Sequence, residues 1–238
     1  MSPDLSVRAV AARELMDDPH ADQRMLEHTY LRFALINAAV SRPGLLYRRD
    51  IRPRARRGRL RILDVGSGGG DLCRMLAARL RRDGLSAEIT ALDADERATR
   101  WASARDGGAG ARYLCARTAD LVGAGETFDV VLSNHVLHHL GSEELQQLLS
   151  ETRLLAGDGG HVVHGDIARN RSAYVLFAAL TLPLAKNLLA GSFIREDGLT
   201  SIRRSYTASE LAAVAPPGWW VHTGFPSRLE LRWGPTDA

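Results

Sequence analysis

Between residues 60 and 167, short apolar runs alternate with longer stretches whose apolar positions recur every three or four residues. The runs are Ile62-Leu63-Asp64-Val65 and residues 87–92, 112–116, 128–134 and 161–167. Most end in glycine or in polar and acidic residues, and they predict buried strands. Leu72, Met75, Leu76 and Leu80 mark the buried stripe of a helix ending near Asp83-Gly84. Gln146, Leu148, Leu149, Leu154 and Leu155 mark another helix before the last run. Regular alternation of strand and helix predicts an α/β fold: a Rossmann-like, doubly wound, mostly parallel sheet with helices on both faces.

The flanks read differently. Residues 1–20 are polar without a strong period and are expected to be mobile at the start. From 20 to 40, Met25, Leu26, Tyr30, Phe33, Ala34 and Ile36 recur at helical spacing, and Ser41-Arg42-Pro43-Gly44 breaks that helix. The arginine-rich run from Arg48 to Arg61 reads as a solvated linker, and no aromatic residues interleave with it for base stacking. Residues 172–190 are the most apolar stretch, but Pro183 and Lys186 interrupt it, which favours a buried or substrate-covering helix over a membrane span. Residues 193–206 read as a polar loop. Thr207 caps a short helix, and residues 219–223 and 228–233 form a hairpin that should close the sheet antiparallel. The chain thus divides into a helical cap (1–58), a core (59–170), a lid insertion (171–206) and a C-terminal helix with hairpin (207–238), all one domain.

The first strand ends in Asp64-Val65-Gly66-Ser67-Gly68-Gly69-Gly70-Asp71. Glycines there let the backbone take positive φ and let a ligand approach, and free N–H groups at a helix start favour an anionic group. A dinucleotide fingerprint needs glycine at the first, third and sixth positions of this turn. Counting from Gly66, the sixth is Asp71, which disfavours NAD and FAD. Asp93, at the tip of the second strand, is placed to accept hydrogen bonds from both ribose hydroxyls of a nucleoside. Asp95 is the better helix cap of the two.

The run Leu63 to Gly70 resembles the first motif of class I S-adenosylmethionine (SAM)-dependent methyltransferases, and Phe128-Asp129-Val130-Val131-Leu132-Ser133-Asn134-His135-Val136-Leu137-His138-His139-Leu140 resembles their fourth. Residues 30–49 resemble the N-terminal region of quinone-biosynthesis methyltransferases, which covers the cofactor. The resemblance spans about residues 25–166. It implies SAM as cofactor, held by Asp64, Gly66, Ser67, Gly68, Asp93, Ala94, Thr118, Ala119, Asn134, His135 and Arg49, with Tyr30 and Asn37 as further wall residues. Many members place an acidic residue after the third strand; here that place falls on Arg117 or Thr118, and Asp120 is the nearest substitute.

His135, His138 and His139, spaced i, i+3 and i+4, fall near one face of a helical turn at the carboxyl edge of the sheet. Imidazole suits a base at neutral pH, and Asp166 ends the neighbouring strand. The resemblance to sugar and phenol O-methyltransferases makes His139 or His138 the base and Asp166 its orienting carboxylate. The same pair also packs beside the cofactor in methyltransferases that need no base. No metal is expected, since His135 and His139 would need a third ligand such as His164.

Bulk properties constrain the rest only loosely. A net charge of +3 does not imply nucleic acid. Cys73 and Cys115 are the only cysteines, which fits a reducing cytoplasm. The acidic N-terminus (Asp4, Glu14, Asp17, Asp18) does not read as a signal peptide. The expected function is methyl transfer to a hydroxyl of a small aromatic or polyketide-like acceptor of secondary metabolism. C-methylation of a quinol-like ring and a SAM-binding module without chemistry are the alternatives. The expected partner is a small molecule; a homodimer is compatible, and neither nucleic acid nor stable membrane insertion is expected.

Overall fold

The computed structural model describes residues 3–235. Seven strands form one sheet in the order β3-β2-β1-β4-β5-β7-β6. Strands β1 (Leu60–Val65), β2 (Ala87–Asp93), β3 (Arg112–Cys115), β4 (Val130–Asn134) and β5 (His161–Ile167) are parallel. β6 (Trp219–Gly224) and β7 (Arg228–Trp233) close it antiparallel, β7 lying beside β5. Strand order reverses between β1 and β4, so a crevice opens at their carboxyl ends, where ligands enter such sheets.

The pleat explains why the strands are apolar throughout. On β1, Ile62 packs with Leu76, Ile89 and Val130, whereas Leu63 packs with Val131, Leu149 and Leu231. Successive side chains thus enter separate cores on the two faces. The helices are α1 (Gln23–Val40), α2 (Asp71–Arg82), α3 (Glu96–Ala104), α4 (Thr118–Gly123), α5 (Ser142–Ala156), α6 (Arg171–Thr181), α7 (Ile194–Arg204) and α8 (Ala208–Val214). Asp95 caps α3 by accepting from the Arg97 amide at 2.8 Å, as its position in the sequence suggested. No helix among the described residues is long and apolar enough to cross a membrane.

Three expectations for the flanks are corrected. Residues 194–204 are helical rather than loop, even though Gly198 sits mid-helix. The arginine run is no linker: its first half winds through helical turns over residues 43–55 and buries Leu46, Tyr47 and Ile51 against α2. The N-terminal segment is tied down rather than mobile, its irregular backbone held by long-range bonds such as Ala9 N–H to Arg203 O at 3.0 Å.

Arg49, expected to contact the cofactor, lies elsewhere. Its Nη2 donates to Glu230 Oε2 at 2.5 Å and its Nε to Asp50 Oδ2 at 3.1 Å. Arg232 bonds both carboxylates, and His161 Nε2 is 3.3 Å from Asp50. Burial would protonate Asp50, but hydrogen bonds from His161 and Arg232 hold its pKa well below the usual carboxylate range. This network bolts the helical turns to β7. Removing one partner of a buried pair strands the other charges and costs about 3–5 kcal/mol. Asp50→Ala should therefore lower unfolding free energy by about that amount in urea titrations; a loss below about 1 kcal/mol would show that the network carries no such strain.

Candidate active site

The crevice between the sheet edge, α1 and α7 encloses a cavity of about 580 Å³. The glycine loop forms its floor. A Cβ on Gly66, whose φ is +67°, would meet Val136 Cγ2 at 2.5 Å, so this position admits only glycine. At Gly68 (φ +51°) nothing lies within 4 Å of where a Cβ would stand. The loop therefore supplies clearance. The first three amides of the loop are engaged: Gly66 and Ser67 donate to Leu92 O at 2.8 and 3.0 Å, and Gly68 donates to Asp93 Oδ2 at 2.7 Å.

Of the residues expected at the cofactor, Asp64, Gly66, Ser67, Gly68, Asp93, Ala94, Thr118, Ala119, Asn134 and His135 all line this cavity, with Tyr30 and Asn37. Arg49 does not, for the reason given above. Asp120 is not at the cavity either; it accepts from the Arg117 amide at 2.8 Å and caps α4. Burial pushes the Asp64 pKa up to about 7 and also raises that of Asp93. Three carboxylates, Asp64, Asp71 and Asp93, thus sit around a dry floor, an arrangement suited to a cationic ligand that carries a ribose. The residues fit the size and charge of SAM: the glycines leave clearance, the carboxylates of Asp64, Asp71 and Asp93 suit a cation, and Ala94, Ala116 and Ala119 leave room in the same wall.

The histidines leave β4 by a sharp bend rather than on one helix. His135 takes a left-handed φ of 60°, and only Leu137–His139 form a 3-10 turn. His135 Nε2 meets Ser41 Oγ at 2.7 Å, which Asn134 Nδ2 also reaches at 2.9 Å. His138 is 2% exposed and lies between two carboxylates, with Nδ1 2.9 Å from Asp166 Oδ1 and Nε2 3.1 Å from Glu14 Oε1. Burial opposes a charge there, but Asp166 and Glu14 outweigh it and push the pKa up to about 10. His138 has both nitrogens on carboxylates, the arrangement of a protonated ring. Asp166 pairs with His138, one of the two histidines it was expected to orient, and also faces His135 at 3.6 Å.

His139 is different. Its ring is 30% exposed and lines the cavity, with Nδ1 3.2 Å from Asp17 Oδ2 and Nε2 3.8 Å from Glu14 Oε2, beyond hydrogen-bond range. His164, once a conceivable metal ligand, lies outside the cavity lining; its nitrogens meet Ser133 Oγ at 2.7 Å and Thr152 Oγ1 at 3.1 Å, and burial pushes its pKa down to about 3. Among the described residues, two histidine–carboxylate triads come within 4.8 Å, Glu14-His138-His139 and His135-His138-Asp166. Both share the doubly engaged His138, whose geometry is that of a protonated ring.

Glu14 and Asp17 were not legible as site residues. They belong to an N-terminal strap that crosses the cavity mouth. Its Leu15 and Met16 amides donate to the Asp197 carboxylate at 2.7 and 3.0 Å. Arg97 donates to Met16 O at 3.2 Å and Asp18 O at 2.9 Å. Arg8 reaches Arg204 O at 2.7 Å, and Arg204 reaches His139 O at 3.0 Å, so two guanidiniums hold the histidine turn. The acidic residues at 14, 17 and 18 gave the only hint, and no periodicity distinguishes them from a solvated tail.

Residues 62–160 match the family model of the methyltransferase domain. That stretch is similar to a methyltransferase domain. Over 132 residues, 55% of this chain, it is 32% identical to a ubiquinone biosynthesis O-methyltransferase of Sinorhizobium medicae, covering 48% of that protein. A relative of the same name from Mesorhizobium japonicum is 40% identical over 88 residues, 36% of this chain and 33% of the relative. The chain thus spans between a third and a half of the curated relatives' length. The matched stretch and its flanks share their fold with the plantazolicin methyltransferase BpumL in complex with SAH (TM-score 0.58, 15% identity, 92% of this chain and 91% of that one). Magnesium protoporphyrin IX methyltransferase of Synechocystis with bound SAM has TM-score 0.52 at 16% identity, over 86% and 82% of the two chains.

The His138 ion triad fixes a pH dependence for this chain. Its folded pKa of about 10 lies above the ordinary imidazole value near 6.5. The stability it contributes is therefore complete below about pH 6.5 and is lost as pH rises through about 10. The stability difference between the wild type and His138→Gln, from urea unfolding at stepped pH, should shrink toward alkaline pH. A difference that stays constant to pH 10.5 would show that His138 is not a buried cation.

Proposed function

We propose that the chain is an O-methyltransferase that transfers a methyl group from SAM to a hydroxyl of a small, largely apolar acceptor. SAM, when bound, supplies the electrophilic methyl carbon. The remaining work falls to residues of this chain. The glycine floor, Asp64 and Asp93 hold the cofactor, and the walls hold the acceptor oxygen in line with it, an alignment worth about 7–11 kcal/mol in favourable cases. His139 would take the hydroxyl proton at Nε2 while the methyl group passes to the oxygen and its bond to sulfur breaks, the electron pair staying on sulfur so that SAH leaves as a neutral thioether. Asp17, beside Nδ1, fixes the tautomer and steadies the imidazolium that forms. His138, Arg8 and Arg204 position the turn that carries His139.

The observation that carries the reading is the contrast between the two adjacent histidines of the cavity wall: His138 is buried with both nitrogens on carboxylates, whereas His139 is 30% exposed with Asp17 beside Nδ1. The names of the curated relatives, ubiquinone biosynthesis O-methyltransferases, support oxygen as the acceptor atom. The far end of the cavity, lined by Phe33, Ile36, Val40, Phe177, Ile194 and Ile202, supports an apolar acceptor. Secondary metabolism and a cytoplasmic location belong to the same proposal.

Calorimetry should show SAM binding and no NAD binding, with Asp93→Ala weakening SAM at least tenfold. With labelled SAM and a panel of phenols and quinols, His139→Ala should lower turnover at saturating cofactor by about 10²–10⁴-fold and Asp17→Asn by less, both with unchanged SAM affinity. Full turnover by His139→Ala would remove the base, and binding of NAD without SAM would overturn the whole reading.

A further inference from the structure

Gly198 is out of place. It occupies the middle of α7, where glycine costs roughly 1 kcal/mol relative to alanine. Its φ lies outside the left-handed region, so no turn requires it. What requires it is Phe177 on the neighbouring α6. A Cβ on Gly198 would lie 2.3 Å from Phe177 Cζ and 2.6 Å from Cε1, well inside any real carbon contact. The missing side chain lets the phenyl ring rest on the backbone of α7. The same ring lines the cavity and packs with Val40, Ile167, Ala173 and Ile202. Beyond it α6 turns outward, where Val175, Leu176 and Leu180 are exposed.

Resting on the proposed reading of an apolar acceptor, we propose that Phe177, seated on Gly198, is the stop that sets how long an apolar chain the acceptor carries. An acceptor enters with its hydroxyl at His139 and lays its chain between α1 and α7, over Ile36, Val40 and Ile202. The ring ends that path. Each methylene buried before the stop adds roughly fourfold to affinity, from about 0.8 kcal/mol per methylene. Each methylene after it adds nothing or clashes.

The test is binding of 4-alkylphenols of increasing chain length, measured by calorimetry on the full chain with and without SAH. Wild type should gain affinity up to a limiting length and then level off or fall. Phe177→Ala should move that limit outward by several methylenes while leaving affinity for SAH within twofold. Gly198→Ala, which must displace the ring, should move the limit inward, and Phe177→Leu should lie between wild type and Phe177→Ala. An unchanged limit in Phe177→Ala, no chain-length dependence in the wild type, or no alkylphenol binding would each overturn the stop. These failures can all occur with SAH bound normally; loss of SAH binding in the wild type would instead count against the methyltransferase reading.

Discussion

A buried cation between two buried anions holds this site together. His138 leaves β4 and has no water to solvate it; Asp166 from β5 and Glu14 from the strap replace that solvation. Each of the three groups would be costly alone in the interior. Together they satisfy one another, and the hydrogen bonds among them come from three parts of the chain far apart in sequence. Ser201 on α7 adds a fourth part by donating to Glu14 at 2.8 Å. The fold of the strap and the docking of α7 are therefore conditions for a stable His138, and the reverse also holds.

That arrangement separates two roles within one dipeptide. His138 is locked between Asp166 and Glu14, and its neighbour His139 is half-buried, with Asp17 beside Nδ1. Their rings stand 4.2 Å apart, so the locked ring also limits where the free one can go. Arg8 and Arg204, which hold the backbone carbonyls of the same turn, do so without placing a charge in the cavity lining. The pocket accordingly has a carboxylate-rich floor, three imidazoles (His135, His138 and His139) in its wall and an apolar portion.

Much of this was legible in the sequence where the signal is local. The strand runs, the glycine loop and Asp93 announce themselves because a parallel strand is apolar along its length and its ligand-binding tip is not. The three histidines were found for the same reason, at the end of β4. Their division of labour was not, because it depends on Glu14, a residue 124 positions away in a stretch without period. Gly198 hid α7 by breaking a helical reading, and only the ring of Phe177 explains it. Arg49 misled because its family position suggested the cofactor, whereas in this chain Asp50 and Glu230 claim its guanidinium.

The matched domain ends at residue 160 and begins at residue 62. It contains the glycine floor, Asp93 and the histidine turn. It does not contain Asp166, the strap with Glu14 and Asp17, the α1 wall or the Phe177–Gly198 pair. The boundary of the matched domain thus runs through the cavity, with the glycine floor on one side and most of the apolar wall on the other. Two chains alike across the domain can hold one cofactor identically and still present it to unrelated molecules, so kinship over residues 62–160 says how the methyl group is carried and leaves its destination to the flanks.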